Sequence, residues 1–140
     1  MFHKLIVAIV LIFCSAAPAA TEGHRFVGAW KALTYVIDSK EHPMEGLFVF
    51  TQRHYSANVR FKLGHESIDA ANGNAGSYSI DGKRIVFAQW VQVHIRPGDP
   101  KESILSRKGP DEVSEYRFEG DRLILLFPSG NRYVLERITE

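Results

Sequence analysis

From residue 28 to its end, the chain alternates short segments rich in β-branched and aromatic residues with turn-forming dipeptides. Asp81-Gly82 is the strongest turn signal, because Asp-Gly favours the two-residue loop of a β-hairpin. The longer of its flanking segments, 84–95, alternates as a strand does. About nine strands are predicted: 28–37, 46–51, 55–63, 76–80, 84–95, 103–108, 113–119, 123–127 and 133–138.

The predicted strands follow one another through short turns, and no long amphipathic helix separates them. This order is typical of an antiparallel meander, whose exposed edges disappear when the sheet closes. The sequence therefore predicts an all-β fold, a closed antiparallel up-and-down β-barrel of about eight to ten strands. A two-sheet sandwich is the alternative. The least strand-like segment, 64–76, is predicted to be either a lid over one mouth of the barrel or a surface loop.

The first twenty residues have the features of a cleaved signal peptide. Lys4 precedes an unbroken apolar run over 5–13, which is too short to span a bilayer, and small residues follow. An uncleaved anchor helix is the alternative. The predicted organisation is a signal peptide in 1–20 and one β-barrel domain in 21–140 of a periplasmic or secreted protein.

Length and charge limit the possible functions. A chain of 140 residues accommodates one domain, and a net charge of +1 provides no basic surface for nucleic acid. Cys14 is the only cysteine and lies in the predicted signal peptide, so the mature chain would fold without a disulfide. The absence of an N-x-[ST] glycosylation site favours a bacterial periplasm over eukaryotic secretion.

Several aromatic residues fall on the apolar faces of predicted strands, where they would point into the barrel. Gln89 interrupts an apolar row in 84–95, and a buried amide there needs a partner in the protein or on a ligand. Aromatic walls with a few polar anchors are typical of small-molecule pockets, and a plain packed core is the alternative. The predicted ligand-binding residues are Tyr55, Phe61, Tyr78, Phe87, Gln89, Tyr116 and Phe118.

The sequence contains none of the common motifs for catalysis, metal binding or cofactor binding. The six histidines lack the spacing of zinc ligands, and no thiol accompanies them in the mature chain. A nucleophile elbow, a P-loop and a dinucleotide fingerprint are also missing from the sequence. The sequence predicts no catalytic residues, no metal ligands and no cofactor. An enzyme stays an alternative, because the members of a Ser-His-Asp site can lie anywhere in a chain.

The two ends of the mature chain resemble the first and closing strands of the calycins, which include the lipocalins and the fatty-acid-binding proteins. From 26 to 138 the chain is similar to the bacterial lipocalin-like domain of that superfamily. The motifs that carry the resemblance are Phe26-Val27-Gly28-Ala29-Trp30-Lys31, Gly46-Leu47-Phe48-Val49-Phe50-Thr51, Tyr55-Ser56-Ala57, Gly120-Asp121-Arg122-Leu123-Ile124-Leu125 and Tyr133-Val134-Leu135-Glu136-Arg137-Ile138.

The resemblance implies a structural plug at one end of the barrel. The indole of Trp30 is large enough to fill that end, and Gly28 allows the backbone to turn tightly beside it. Calycins commonly pack a basic residue from the chain end on this tryptophan. Arg137 is the corresponding residue here, and the alternative is that it is a solvated strand residue.

Two departures from the superfamily narrow the range of ligands that the resemblance implies. Only 38–45 separates the first two predicted strands, which leaves no room for the helical lid of fatty-acid-binding proteins. Their carboxylate clamp, Arg-x-Tyr on the last strand, is replaced here by Tyr133 and Leu135.

These considerations together predict a small-molecule-binding module of the bacterial periplasm. It would hold an apolar or amphipathic ligand inside the barrel as a monomer, without nucleic acid and without a membrane span in the mature chain. One alternative is a solid barrel that acts as a structural or protein-interaction module through an exposed apolar patch around Trp90. Another is a calycin-like enzyme.

Overall fold

The computed structural model describes residues 20–62, 70–96, 99–105 and 111–139, which form one helix and nine strands. Apart from Ala20, the predicted signal peptide lies outside the described residues. No helix in the described part of the chain is both long and apolar enough to cross a membrane. The elements are α1 Ala20–Phe26, β1 Gly28–Ile37, β2 Lys40–Phe50, β3 His54–Phe61, β4 Ala70–Asp81, β5 Arg84–Arg96, β6 Asp99–Leu105, β7 Glu112–Glu119, β8 Arg122–Leu126 and β9 Arg132–Arg137.

Eight of these strands close into a barrel. β1 pairs antiparallel with both β2 and β9, which joins the two ends of the sheet. β5 pairs with both β4 and β7, and this completes the circuit. β6 pairs with β5 and adds a ninth strand to the same sheet. The predicted closed antiparallel up-and-down barrel is confirmed, and the sandwich is excluded because all nine strands belong to one sheet.

The strands extend into segments that were predicted as connections. Residues 70–76 pair with β3 on one side and β5 on the other, so most of the predicted lid or loop is the first half of β4. Its asparagines and glycines have low β propensity, but pairing on both edges overrides that local preference. β2 begins at Lys40, after a tight turn at Asp38 and Ser39 with positive φ angles, so the predicted connection over 38–45 is wrong. Residues 63–69 lie outside the described residues.

The base of the barrel, where β1 starts, is filled by aromatic rings. Trp30 is 1% exposed, and its Nε1 donates a hydrogen bond of 2.7 Å to the carbonyl oxygen of Phe26. Phe26, the last residue of α1, points into the interior, where its ring contacts Tyr116 and Phe118 edge-on at 4.8 and 5.1 Å. We call these rings and their neighbours the base cluster: Phe26, Trp30, Phe50, Tyr78, Tyr116 and Phe118.

Arg137 closes the base from the other end of the chain. Its guanidinium carbon lies 4.2 Å from the centroid of the Trp30 indole, so the stacking that the resemblance implied is present. Nη1 donates to the carbonyl oxygen of Val27 at 3.0 Å, and Nη2 donates to that of Arg25. Gly28 lies beside this guanidinium with a φ of 133°, and a Cβ there would stand only 3.0 Å from Nη1.

A second set of rings lies toward the opposite end of the barrel. Tyr35 contacts Phe61 and Tyr133 edge-on, with centroids 5.0 and 4.8 Å apart, and Phe127 contacts Tyr133 at 4.8 Å. We call these four residues the upper cluster. The meander places the two clusters at opposite ends, because the residues of the upper cluster come from the end of β1 and β3 and from the start of β9 and its preceding turn.

Candidate ligand-binding site

A cavity of about 60 Å³ lies between the two clusters. Phe127 and Tyr133 of the upper cluster line it, together with rings that contact Phe50 of the base cluster. Ala57, Val59 and Leu125 add apolar surface, and the polar part of the lining comes from three neighbouring strands, β4, β5 and β7. These polar residues are Asn72, Asn74, Gln89, Gln92 and Glu112. The cavity therefore joins an aromatic surface to a hydrogen-bonding one, as small-molecule sites do.

A β-bulge brings two glutamines of β5 to the same cavity. Gln89 pairs with Gly76 and Gln92 pairs with Asn74, although only one residue separates Gly76 from Asn74. The additional residue is on β5, opposite the junction between Ala75 and Gly76 of β4. It reverses which face of the sheet the following side chains of β5 point to. Gln92 consequently faces inward. Alternation along 84–95 puts Val91, Val93 and Ile95 in the same apolar row as Gln89, but they line the outer wall, so that part of the prediction is wrong.

Glu112 stands at a seam in the barrel wall. The ladder between β5 and β7 covers Arg84 to Phe87 and ends at the pair Phe87–Glu112. Farther along, from Gln92, the same edge of β5 pairs with β6 instead. Glu112 is the first residue of β7 and turns into the cavity, where its Oε2 accepts a 2.8 Å hydrogen bond from Nε2 of Gln89. Both side chains are half-buried. This polar part of the lining therefore lies where β5 stops pairing with β7, before it starts pairing with β6.

The cavity holds a carboxyl group at an electrostatic cost. Burial raises the pKa of Glu112, and the hydrogen bond from Gln89 opposes that rise. Burial also raises the pKa of Tyr55, and the charge of Glu112 raises it further. The pKa of Tyr133 rises mainly through burial, while a side-chain hydrogen bond with Asn72 lowers it. The described lining contains no lysine, arginine or histidine to balance the carboxylate.

Three polar atoms at the cavity lack a hydrogen-bond partner among the described residues. They are the hydroxyl oxygen of Tyr55 and the side-chain carbonyl oxygens of Asn72 and Asn74, each buried from solvent. Tyr55 as a whole is 5% exposed. Buried polar atoms almost always find a partner, and at a cavity of this size that partner is either water or a ligand.

Replacing Glu112 with glutamine should stabilise the protein near neutral pH. Because burial holds the pKa above its usual 4.5, the folded state binds more protons than the unfolded state between those two values. Stability should therefore fall as pH rises through that window in the wild type. The Glu112→Gln variant lacks this loss, so its advantage should grow with pH and then level off above the raised pKa. Urea unfolding from about pH 4 to about pH 8 measures the difference.

Glu115→Gln is the matched control for this measurement. Glu115 lies on the same strand, but it is exposed on the outer face, where water solvates its charge. The stability difference between this control and the wild type should change little with pH. A constant advantage for Glu112→Gln at every pH would show that ionisation of the carboxyl costs the folded state nothing.

The structure brings three of the seven predicted ligand-binding residues to the cavity: Tyr55, Phe87 and Gln89. Tyr78, Tyr116 and Phe118 belong to the base cluster, where the tyrosine hydroxyls donate to the backbone carbonyls of Thr51 and Gly82, respectively. Phe61 belongs to the upper cluster.

Four polar residues of the lining did not emerge from the sequence: Asn72, Asn74, Gln92 and Glu112. Asn72-Gly73-Asn74 has the composition of a turn, so the sequence does not predict a strand there. Gln92 depends on the bulge, and Glu112 lies just after a predicted turn. The one available signal was that Asn72 and Asn74 are two residues apart, the spacing that puts both on one face of a strand.

The outer wall carries a separate, shallow groove of about 700 Å³. Small residues of β4, such as Ala71 and Gly73, form its floor, and Val91 and Val93 of β5 border it. Trp90 is 57% exposed and packs against the imidazole of His54, with centroids 5.1 Å apart. An exposed tryptophan is what the protein-interaction alternative predicts, and that alternative stays a prediction.

Within the described ranges, no three His, Cys, Asp or Glu side chains lie close enough together to hold a metal ion. Comparison with protein-family models, curated proteins and solved structures gave no match. The candidate site is therefore defined by its own geometry, and the lipocalin-like resemblance stays a prediction.

Proposed function

We propose that this protein is a small-molecule-binding module of the bacterial periplasm that holds one amphipathic ligand inside the barrel. The cavity between the two aromatic clusters carries the proposal, because it combines an aromatic lining with three unpartnered polar atoms. A lipocalin-like barrel of this size accommodates either a side-chain core or one small ligand. The cavity favours the ligand.

The free-energy cost of the unpartnered polar atoms supports a bound ligand. A buried polar group without a hydrogen bond costs about 1–3 kcal/mol, so three such atoms together cost several kcal/mol. A sequence selected for stability alone would replace Asn72 and Asn74 with apolar residues, which pack in a core without that cost. A ligand with hydrogen-bonding groups would satisfy the same atoms and recover this free energy.

The size of the cavity favours an amphipathic ligand over a wholly apolar one. About 60 Å³ has room for roughly two water molecules or a polar group of a few atoms. A long hydrocarbon chain does not fit beside the polar lining, and it would leave the unpartnered atoms unpaired. We therefore place the polar head of the ligand in the cavity and its apolar part against Phe127 and Tyr133.

The proposed compartment is supported by the sequence of residues 1–20, which has the charged start, the apolar run and the small residues of a signal peptide. A chain exported in this way reaches an oxidising compartment, and the remaining residues contain no cysteine. The fold is compatible with that setting, because hydrophobic packing and hydrogen bonds stabilise the barrel in place of a disulfide.

Native mass spectrometry of the protein purified from its own host tests the proposal. We expect a species heavier than the protein, whose additional mass is released on denaturation. Ala57→Val should lose this species, because Ala57 lines the cavity and the added methyl groups occupy its space. Ala75→Val is the matched control, because Ala75 lines the groove on the outer wall and not the cavity. A protein that carries no additional mass and binds no small amphipathic compound would contradict the proposal.

A further inference from the structure

Resting on the proposed function, we infer that the ligand carries a primary ammonium group, held between the carboxylate of Glu112 and the side-chain carbonyl oxygens of Asn72 and Asn74. The juxtaposition of one half-buried carboxyl group with two unpartnered amide oxygens at a single cavity carries this inference. It narrows the ligand from an amphipathic molecule to an amphipathic amine.

The unpartnered groups need hydrogen-bond donors. Carbonyl oxygens can only accept, and two of the three unpartnered atoms are carbonyl oxygens of asparagine side chains. The third, the hydroxyl of Tyr55, can donate or accept. One amide donor of the lining, Nε2 of Gln89, is already engaged with Glu112. A ligand carboxylate or phosphate would place further acceptors against these oxygens, whereas an ammonium group supplies three N–H donors.

The charge of the lining selects a cation among possible donors. Among the described residues of the lining, Glu112 is the acidic one and no basic side chain accompanies it. Its second oxygen can accept a further hydrogen bond, because a carboxylate has about four acceptor positions. A positively charged ligand makes a charge-assisted hydrogen bond there, which is stronger than the bond of a neutral hydroxyl.

Space and the aromatic lining select a primary ammonium group. A cavity of about 60 Å³ admits a head group of a few atoms, and a quaternary ammonium group is bulkier and has no N–H to offer. The rings of Tyr55, Phe87 and Tyr133 also line the cavity, and aromatic faces attract cations. The alkyl or aryl part of the amine would pack against Phe127 and Tyr133.

Isothermal titration calorimetry with four probes of similar size tests this inference. The probes are butylammonium, 1-butanol, butanoate and tetramethylammonium, with sodium and potassium chloride as competitors. We expect butylammonium to bind about tenfold more tightly than 1-butanol, because hydrogen bonds to charged groups are the stronger ones. Butanoate should not bind measurably. Tetramethylammonium should bind more weakly than butylammonium, and the salts should not displace butylammonium at equal concentration.

Variants assign the selectivity to Glu112. Glu112→Gln keeps the shape of the side chain and removes its charge, so it should lower butylammonium affinity about tenfold and leave 1-butanol binding nearly unchanged. Glu115→Gln, exposed on the same strand, should bind every probe as the wild type does. Circular dichroism confirms that each variant is folded before titration.

The remaining outcomes separate this inference from the proposed function. If 1-butanol or tetramethylammonium binds as tightly as butylammonium, or if the salts compete equally, the ammonium inference is wrong and a small-molecule site remains. If no probe binds but native spectra show a bound mass, the inference is again wrong. If neither is observed, the proposed function fails as well.

Discussion

Replacing Trp30 with alanine should lower the free energy of unfolding by about 3–5 kcal/mol. The indole is buried in the base cluster, and its removal leaves a cavity that the surrounding strands cannot fill without moving. It also leaves the carbonyl oxygen of Phe26 without its 2.7 Å hydrogen bond and the guanidinium of Arg137 without an aromatic face. Urea unfolding followed by circular dichroism measures the loss, since the substitution removes a fluorophore.

Trp90→Ala is the matched control for this prediction. The same side chain is deleted there, but it is largely exposed and contacts the ring of His54 on the outer wall. The free energy of unfolding should change by no more than about 0.5 kcal/mol. A loss below about 1 kcal/mol for Trp30→Ala, or equal losses for the two variants, would mean that the indole does not hold the base together.

Replacing Gly46 with alanine should destabilise the barrel by about 2–6 kcal/mol or prevent folding. Gly46 has a φ of 141°, a conformation that L-residues rarely adopt. An added Cβ would stand 2.0 Å from the carbonyl oxygen of Asn58 and 2.7 Å from the Cα of Val59 on the adjacent strand. Both atoms belong to the backbone, so the ladder between β2 and β3 would have to separate locally.

Gly73→Ala provides the comparison for this effect. The atom nearest to its added Cβ is the side-chain oxygen Oδ1 of Asn58 at 3.0 Å, which belongs to an exposed side chain that can rotate away. We expect a change below about 1 kcal/mol in urea unfolding. If Gly46→Ala unfolds at the same urea concentration as Gly73→Ala, the close approach of β2 and β3 is not what requires glycine.

The fold could be predicted because its signals are local and repeated. The turn at Asp81-Gly82 and the alternation along β3 specify hairpins, and successive hairpins without helices specify a meander. Closure follows from the need to pair the two free edges. The start of β4 could not be predicted in this way, because Asn72, Gly73 and Asn74 form a strand only through neighbours on both edges.

The candidate site was predicted only in part, for a physical reason. One additional residue in β5 reverses which side chains face the interior, so simple alternation places Gln89 and Trp90 correctly and the residues from Val91 to Ile95 on the wrong face. Glu112 reaches the cavity because β7 starts at the point where β5 changes partners. That position is a property of the completed sheet and has no signature in the residues around Glu112.

The contacts of Arg137 have a consequence for when the barrel can fold during synthesis of the chain. Its hydrogen bonds to Val27 and Arg25 span 110 and 112 positions of the chain, and the pairing of β1 with β9 spans a similar distance. Contacts between such distant positions form slowly, since a long loop must be ordered first. A chain still emerging from the ribosome lacks its last strand and cannot complete the circle, so the barrel closes only after the whole chain has been synthesised.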